Sequence, residues 1–173
     1  MKLKVGLLGG GSWGTTVASL TAKNVPTIIW ARNPITVKEI NEQHTNEKYL
    51  PNAKLTPALV ASNSIKETVE EADVIVMGVP SQSLRKVLEE ARPYIRPWVP
   101  IINLAKGLEI STKMRMTEII EELMPGHPIG VLTGPNLAKE IHFGKAAAAV
   151  IAMVDNSIAK RLQSVFSSGL FRV

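Results

Sequence analysis

No cysteine occurs among the 173 residues. Disulfides, thiolate zinc sites and a cysteine nucleophile are thereby excluded, and a reducing, cytoplasmic setting is the simpler expectation. Aromatic residues are scarce, at 5%. The excess of 20 Lys and Arg over 15 Asp and Glu, a formal +5, is scattered rather than gathered into blocks. A nucleic-acid surface needs clustered cations interleaved with stacking rings, so no nucleic-acid partner is expected, and the charge suits an anionic ligand or a membrane surface. Long hydrophobic runs are missing too. The longest, Ala146 to Val154, has nine residues, far short of a bilayer, and the apolar run that follows Lys2 and Lys4 meets Gly9 too early for a signal-peptide core. No membrane insertion is expected. His44, His127 and His142 show no spacing suited to a metal, and none is expected.

What is present is alternation. Short apolar runs exchange with amphipathic, charged segments along the whole chain, the pattern of a βα fold. The runs predict strands at Lys4 to Leu8, Thr27 to Ala31, Leu59 to Ser62, Val74 to Val79, Pro100 to Leu104, Ile129 to Thr133, Ala147 to Val154 and Leu170 to Val173. Several are apolar at every position, as parallel strands buried on both faces require. Helical spacing predicts helices over Trp13 to Asn24, Thr36 to Glu42, Ile65 to Glu71, Ser83 to Ala91, Lys113 to Met124, Asn136 to Ile141 and Ser157 to Phe166, the last capped by Asp155 and ended by Gly169. His44 to Pro57 has two prolines and no period, and is read as a long connection. The expected fold is α/β, a Rossmann-type doubly wound, mostly parallel sheet with helices on both faces, forming one domain over residues 1–173. The chain ends at "GLFRV", inside a strand-like run, which points to one domain of a longer polypeptide.

Four glycines fall within six positions of "VGLLGGGSWG". Gly9, Gly11 and Gly14 give G-x-G-x-x-G between a strand and a helix: the first permits the turn, the second lets a pyrophosphate approach the backbone, and the third lets helix and strand pack. The free N–H groups and positive dipole end of the helix then face the ligand. Ser12 adds a hydroxyl. No Lys-Ser or Lys-Thr follows the glycines, which disfavours a Walker loop. About 20 residues on, where an NAD-binding fold carries a carboxylate for the ribose 2′-hydroxyl, the sequence reads "TIIWARNP". Arg32 and Asn33 stand there instead, and an arginine pairs with a 2′-phosphate. NADP (NADPH) is therefore the preferred cofactor, with NAD possible; a solvated arginine in a turn is the plain alternative.

The glycine loop and "WARNP", together with "VIVMGVPSQSLRKVL", "NLAKGLE" and "LTGPNLAKEI", resemble the N-terminal domain of NAD(P)-dependent glycerol-3-phosphate dehydrogenase of the bacterial type, over essentially the whole chain and in family order. That family reduces dihydroxyacetone phosphate to sn-glycerol 3-phosphate for phospholipid synthesis. The resemblance implies Ser12 and Trp13 at the cofactor beside the glycine loop, Arg32 at its adenosine end, Lys106 touching both cofactor and substrate, Gly134 and Asn136 holding substrate, and Ala138 against the cofactor. It also implies a general-acid lysine in a helical catalytic domain downstream of this chain, so that no catalytic residue lies within it, and a homodimer for the full-length protein. Most bacterial members have serine and an aromatic where this chain has Asn136 and Leu137; asparagine still donates to phosphate or hydroxyl oxygens. Read without the resemblance, Lys106 is also a plain surface lysine, Gly134-Pro135-Asn136 a helix-capping turn, and Pro80-Ser81 either a loop over the cofactor or a helix start. Two alternatives share the fold: a reductase of the ketopantoate or 6-phosphogluconate type, and a non-catalytic NAD(P)-sensing module.

Overall fold

The computed structural model describes residues 3–173, so Lys2 lies outside the described residues. The strands are β1 (Val5–Leu8), β2 (Thr27–Trp30), β3 (Leu59–Ser62), β4 (Val74–Met77), β5 (Ile101–Asn103), β6 (Ile129–Thr133), β7 (Ala147–Ala148), β8 (Val150–Met153) and β9 (Phe171–Arg172). The helices are α1 (Ser12–Thr21), α2 (Pro34–Lys38), α3 (Ile65–Val69), α4 (Ser81–Ala91), α5 (Met116–Leu123), α6 (Ala138–His142) and α7 (Asn156–Phe166). Among the described residues one sheet has seven strands in the order β3-β2-β1-β4-β5-β6-β8. The first six are mutually parallel, and β8 runs antiparallel to β6 at the edge. This is the Rossmann-type doubly wound sheet that the alternation of elements predicts.

Burial explains the sequence pattern. All four residues of both β1 and β4 are buried because each strand has a helical layer on either side. Val74 and Val76 join the core formed with Val17 of α1 and Leu162 of α7. Ile75 and Met77 point the other way, to Leu84 and Leu88 of α4 and Ile119 of α5. Strand β8, at the edge, alternates between exposed and half-buried residues. Among the described residues no helix is long and apolar enough to cross a membrane.

Most boundaries shift by one to four residues from the sequence reading, and four differences have a local cause. Ala147 to Val154 is not one strand: Ala147 pairs with Phe171 in a separate two-stranded sheet, and β8 pairs with β6. The run carries no turn residue to announce the break, which falls at Ala149, whose N–H donates to the Arg172 carbonyl at 2.8 Å. Helix α7 is capped by Asp155, which accepts from Ser157 and Ile158 N–H at 2.8 and 3.1 Å, but it ends at Ser167, not Gly169. Gly169, at φ 57°, turns the chain into β9 instead. Helix α5 starts three residues later than the spacing suggests, since Lys113 is left-handed at φ 61° and the Glu118 carboxylate accepts from Arg115 N–H at 2.7 Å. The segment after α2 continues as a π turn over Glu39–Gln43 that stops at left-handed His44.

Candidate functional site

Strand order reverses between β1 and β4, and in doubly wound sheets ligands collect outside the carboxyl ends of the strands at that point. A cavity of about 560 Å³ opens there. Gly9, Gly10 and Gly11, leaving β1, form one side, with Gly78 and Val79 after β4 beside them; Arg32 and Asn33 after β2, and Lys48 and Tyr49 from the connection, form another. Among the described residues, the N–H groups of Gly11, Ser12 and Trp13 donate to nothing in the chain, because the first helical bond runs from Thr15 N–H to the Gly11 carbonyl at 2.8 Å. Unpaired donors at the start of a ten-residue helix can receive an anion. The fit is steric as well as electrostatic. A Cβ on Gly14 would lie 2.0 Å from the Gly9 carbonyl oxygen, whereas one on Gly11 would meet nothing within 4 Å. Gly14 thus lets α1 sit against the loop, and Gly11 leaves the approach open.

A second cavity of about 190 Å³ lies farther along the same edge, lined by Trp13, Leu104, Lys106, Leu132, Thr133, Gly134 and Asn136. The Gly134 carbonyl accepts from both Lys106 Nζ at 3.0 Å and Asn136 N–H at 2.9 Å, which brings all three candidate substrate residues together at one oxygen. The Asn136 carboxamide is buried, yet neither its Nδ2 nor its Oδ1 has a partner. Leaving such groups unpaired costs about 1–3 kcal/mol each, which a polar ligand would offset. Asn136 does not cap a helix; the N-cap of α6 is Leu137. A Cβ on Gly134 would come within 2.9 Å of Asn136 Nδ2 and 2.7 Å of the Ala148 carbonyl oxygen, so glycine is required to leave the carboxamide where it is.

Comparison with known proteins gives the family of the chain. Residues 4–159 match the family model described as "NAD-dependent glycerol-3-phosphate dehydrogenase N-terminus". The chain belongs to this family. It is 60% identical over 173 residues to glycerol-3-phosphate dehydrogenase [NAD(P)+] 2 of Sphingopyxis alaskensis, covering 100% of this chain and 52% of that one. It is 52% identical over 171 residues to glycerol-3-phosphate dehydrogenase [NAD(P)+] 1 of Mycobacterium bovis, covering 98% and 50%. The crystal structure of glycerol-3-phosphate dehydrogenase from Coxiella burnetii superposes with a TM-score of 0.91 at 28% identity, covering 99% of this chain and 53% of that one. The chain therefore spans about half the length of the curated relatives it matches. Family membership sets aside the ketopantoate and 6-phosphogluconate alternatives.

Within this glycerol-3-phosphate dehydrogenase domain the other residues singled out in the sequence are spread unevenly. Ser12 and Trp13 form the first turn of α1; Trp13 lines the smaller cavity and is propped edge-on by Phe171, ring centroids 6.1 Å apart. Ala138 lines neither cavity, and its carbonyl accepts from Thr16 Oγ1 at 3.3 Å. Pro80 both lines the larger cavity and precedes α4. Among the described residues no group of His, Asp and Glu is placed to hold a metal ion.

Two contributions escape sequence reading. Lys48 and Tyr49 reach the larger cavity from a segment with no period, the ammonium sitting 5.3 Å from the ring centroid. The loop after Lys106 is clasped by α4: Gln82 accepts from Ile110 N–H and donates to the Leu108 carbonyl, while Arg85 Nε and Nη2 grip the Glu109 carboxylate at 2.9 and 3.1 Å. The Arg85 hydrogen bonds, and then that of Thr112, hold the Glu109 carboxyl below its usual value of 4.5. A depressed folded value means the clasp contributes stability above pH 4.5 and loses it as pH falls through the folded value. Arg85→Ala is expected to melt earlier than the parent at neutral pH, with the gap narrowing below pH 4.5; a gap constant in pH would remove Glu109 from the role.

Proposed function

We propose that this chain is the cofactor-binding half of a dehydrogenase that uses NAD(P)H, NADPH by preference, to reduce dihydroxyacetone phosphate to sn-glycerol 3-phosphate. The observation that carries the reading is the buried, unpartnered Asn136 carboxamide beside the Lys106 ammonium, a pair suited to a small, polar, anionic substrate. A non-catalytic sensor would need the larger cavity and not this one. The larger cavity suits a dinucleotide: free N–H groups and open space at Gly11 for the pyrophosphate, and the Arg32 guanidinium for a 2′-phosphate. No carboxylate is among its lining residues to accept a ribose 2′-hydroxyl.

When bound, the nicotinamide supplies the hydride. Lys106 draws the phosphorylated triose and offsets its charge, Asn136 pairs with its oxygens, and Trp13, Leu104 and Leu132 keep water from the reacting face. We assign the proton that completes the alcohol to a lysine of a helical domain in the full-length protein, a homodimer of the cytoplasm. This chain by itself is then expected to bind NADPH with little or no turnover. Calorimetric titration with NADPH and NADH tests the reading. Arg32→Ala is expected to weaken NADPH by about 10–100-fold and NADH hardly at all. An unchanged ratio removes Arg32 from the 2′-phosphate, and no binding by the parent chain overturns the assignment.

A further inference from the structure

The connection between the π turn and β3 carries a fully buried polar side chain under the phosphate loop. Asn46 is 0% exposed. Its Nδ2 donates to the Gly10 carbonyl at 3.0 Å and to Thr15 Oγ1 at 2.8 Å. Its backbone carbonyl accepts from Tyr49 and Leu50 N–H at 3.1 and 2.7 Å, and that turn presents Lys48 and Tyr49 to the larger cavity. One residue therefore joins the glycine loop, the start of α1 and the cavity wall.

The Gly10 carbonyl takes no part in the helix, whose first bond is to the Gly11 carbonyl; the Asn46 amide holds it instead. Peptide units are planar, and no cis bond occurs among the described residues, so fixing the Gly10 carbonyl on one side fixes the Gly11 N–H on the opposite side. Gly10 and Gly11 line the cavity, and glycines left untethered sample many backbone states. Stability alone does not explain the residue. Asn46 Oδ1 is buried without a partner, a cost that an apolar side chain of similar shape would avoid.

We propose that Asn46 is a positioning residue for the phosphate loop: by holding the Gly10 carbonyl it aims the Gly11 N–H at the cofactor pyrophosphate. This rests on the cofactor reading above. The test compares two probes on the 173-residue protein: NADPH, and adenosine 2′-monophosphate, which shares the adenine end but has no pyrophosphate. Asn46→Ala is expected to weaken NADPH by about 10–30-fold and adenosine 2′-monophosphate by less than about 2-fold. Thr15→Val, which removes the second anchor of the Asn46 amide, is expected to show the same selectivity at about 3–10-fold and decides the matter if Asn46→Ala does not fold. Equal weakening of both probes marks a general loosening and overturns the proposal, as does no weakening of either. A parent that binds neither probe overturns the cofactor reading itself.

Discussion

Alanine at Gly14 is expected to abolish NADPH binding and to lower stability by about 3 kcal/mol, while alanine at Gly11 is expected to lose comparable affinity at almost no cost in stability. The two positions belong to one motif but meet different surroundings. At Gly14 the new methyl would sit 2.0 Å from the Gly9 carbonyl oxygen and 3.3 Å from Leu7 Cδ2. Both neighbours are fixed, one by the backbone of the turn and the other by a core residue with no exposure, so α1 must move away from β1. The displaced helix takes the unpaired N–H groups of Ser12 and Trp13 with it. For a chain of this length the melting temperature should fall by about 6–12 °C. At Gly11 the methyl meets nothing in the protein within 4 Å, and what it obstructs is the space where a pyrophosphate comes against the backbone. Melting curves and NADPH titrations on both variants separate the effects. Tight NADPH binding by Gly11→Ala would place the pyrophosphate elsewhere.

Much of this site is legible in the sequence, and the reason is local. Gly9, Gly11, Gly14 and Arg32 stand at or just beyond strand ends, which the order of apolar runs locates within a residue or two; β3, the least periodic strand, still falls at Leu59–Ser62 as read. What escapes is held by contacts between distant segments. Asn46 lies 36 residues from the carbonyl it grips, and its segment encodes no period because its turns are closed by one or two hydrogen bonds each while Leu50, Ala53 and Leu55 pack singly into the core. The grip of Arg85 on Glu109 spans 24 residues. The split of the run from Ala147 into β7 and β8 is invisible for another reason: an apolar alanine and valine run serves equally well in either sheet, and the choice is made by Arg172 and Phe171 arriving from the far side of α7. Lys106 and Asn136 stand between these cases. Their positions after β5 and β6 are readable, but their convergence on one carbonyl is not.

That convergence gives the second large expected effect. Lys106→Met keeps the length of the side chain and removes the ammonium, and in the full-length protein it is expected to lower kcat/KM for dihydroxyacetone phosphate by about 10²–10³-fold. The ammonium donates to the Gly134 carbonyl, and that oxygen also accepts from Asn136 N–H. On the proposed reading an incoming phosphate or carbonyl oxygen would compete for the same donor, with the bond to Gly134 holding the lysine at the smaller cavity in its absence. With methionine there, the Asn136 carboxamide still faces the cavity, but nothing offsets the substrate charge as it leaves water, and a charge brought into a partly desolvated site without its partner is strongly disfavoured. The loss should fall on the phosphorylated substrate more than on the cofactor. Lys106 does not line the larger cavity, so affinity for adenosine 2′-monophosphate should change by less than about 2-fold. Trp13 lines the same small cavity, and quenching of its fluorescence by glycerol phosphate, expected in the parent chain and expected to be lost in Lys106→Met, would read the event without turnover. Quenching that survives the substitution would move the substrate away from Lys106.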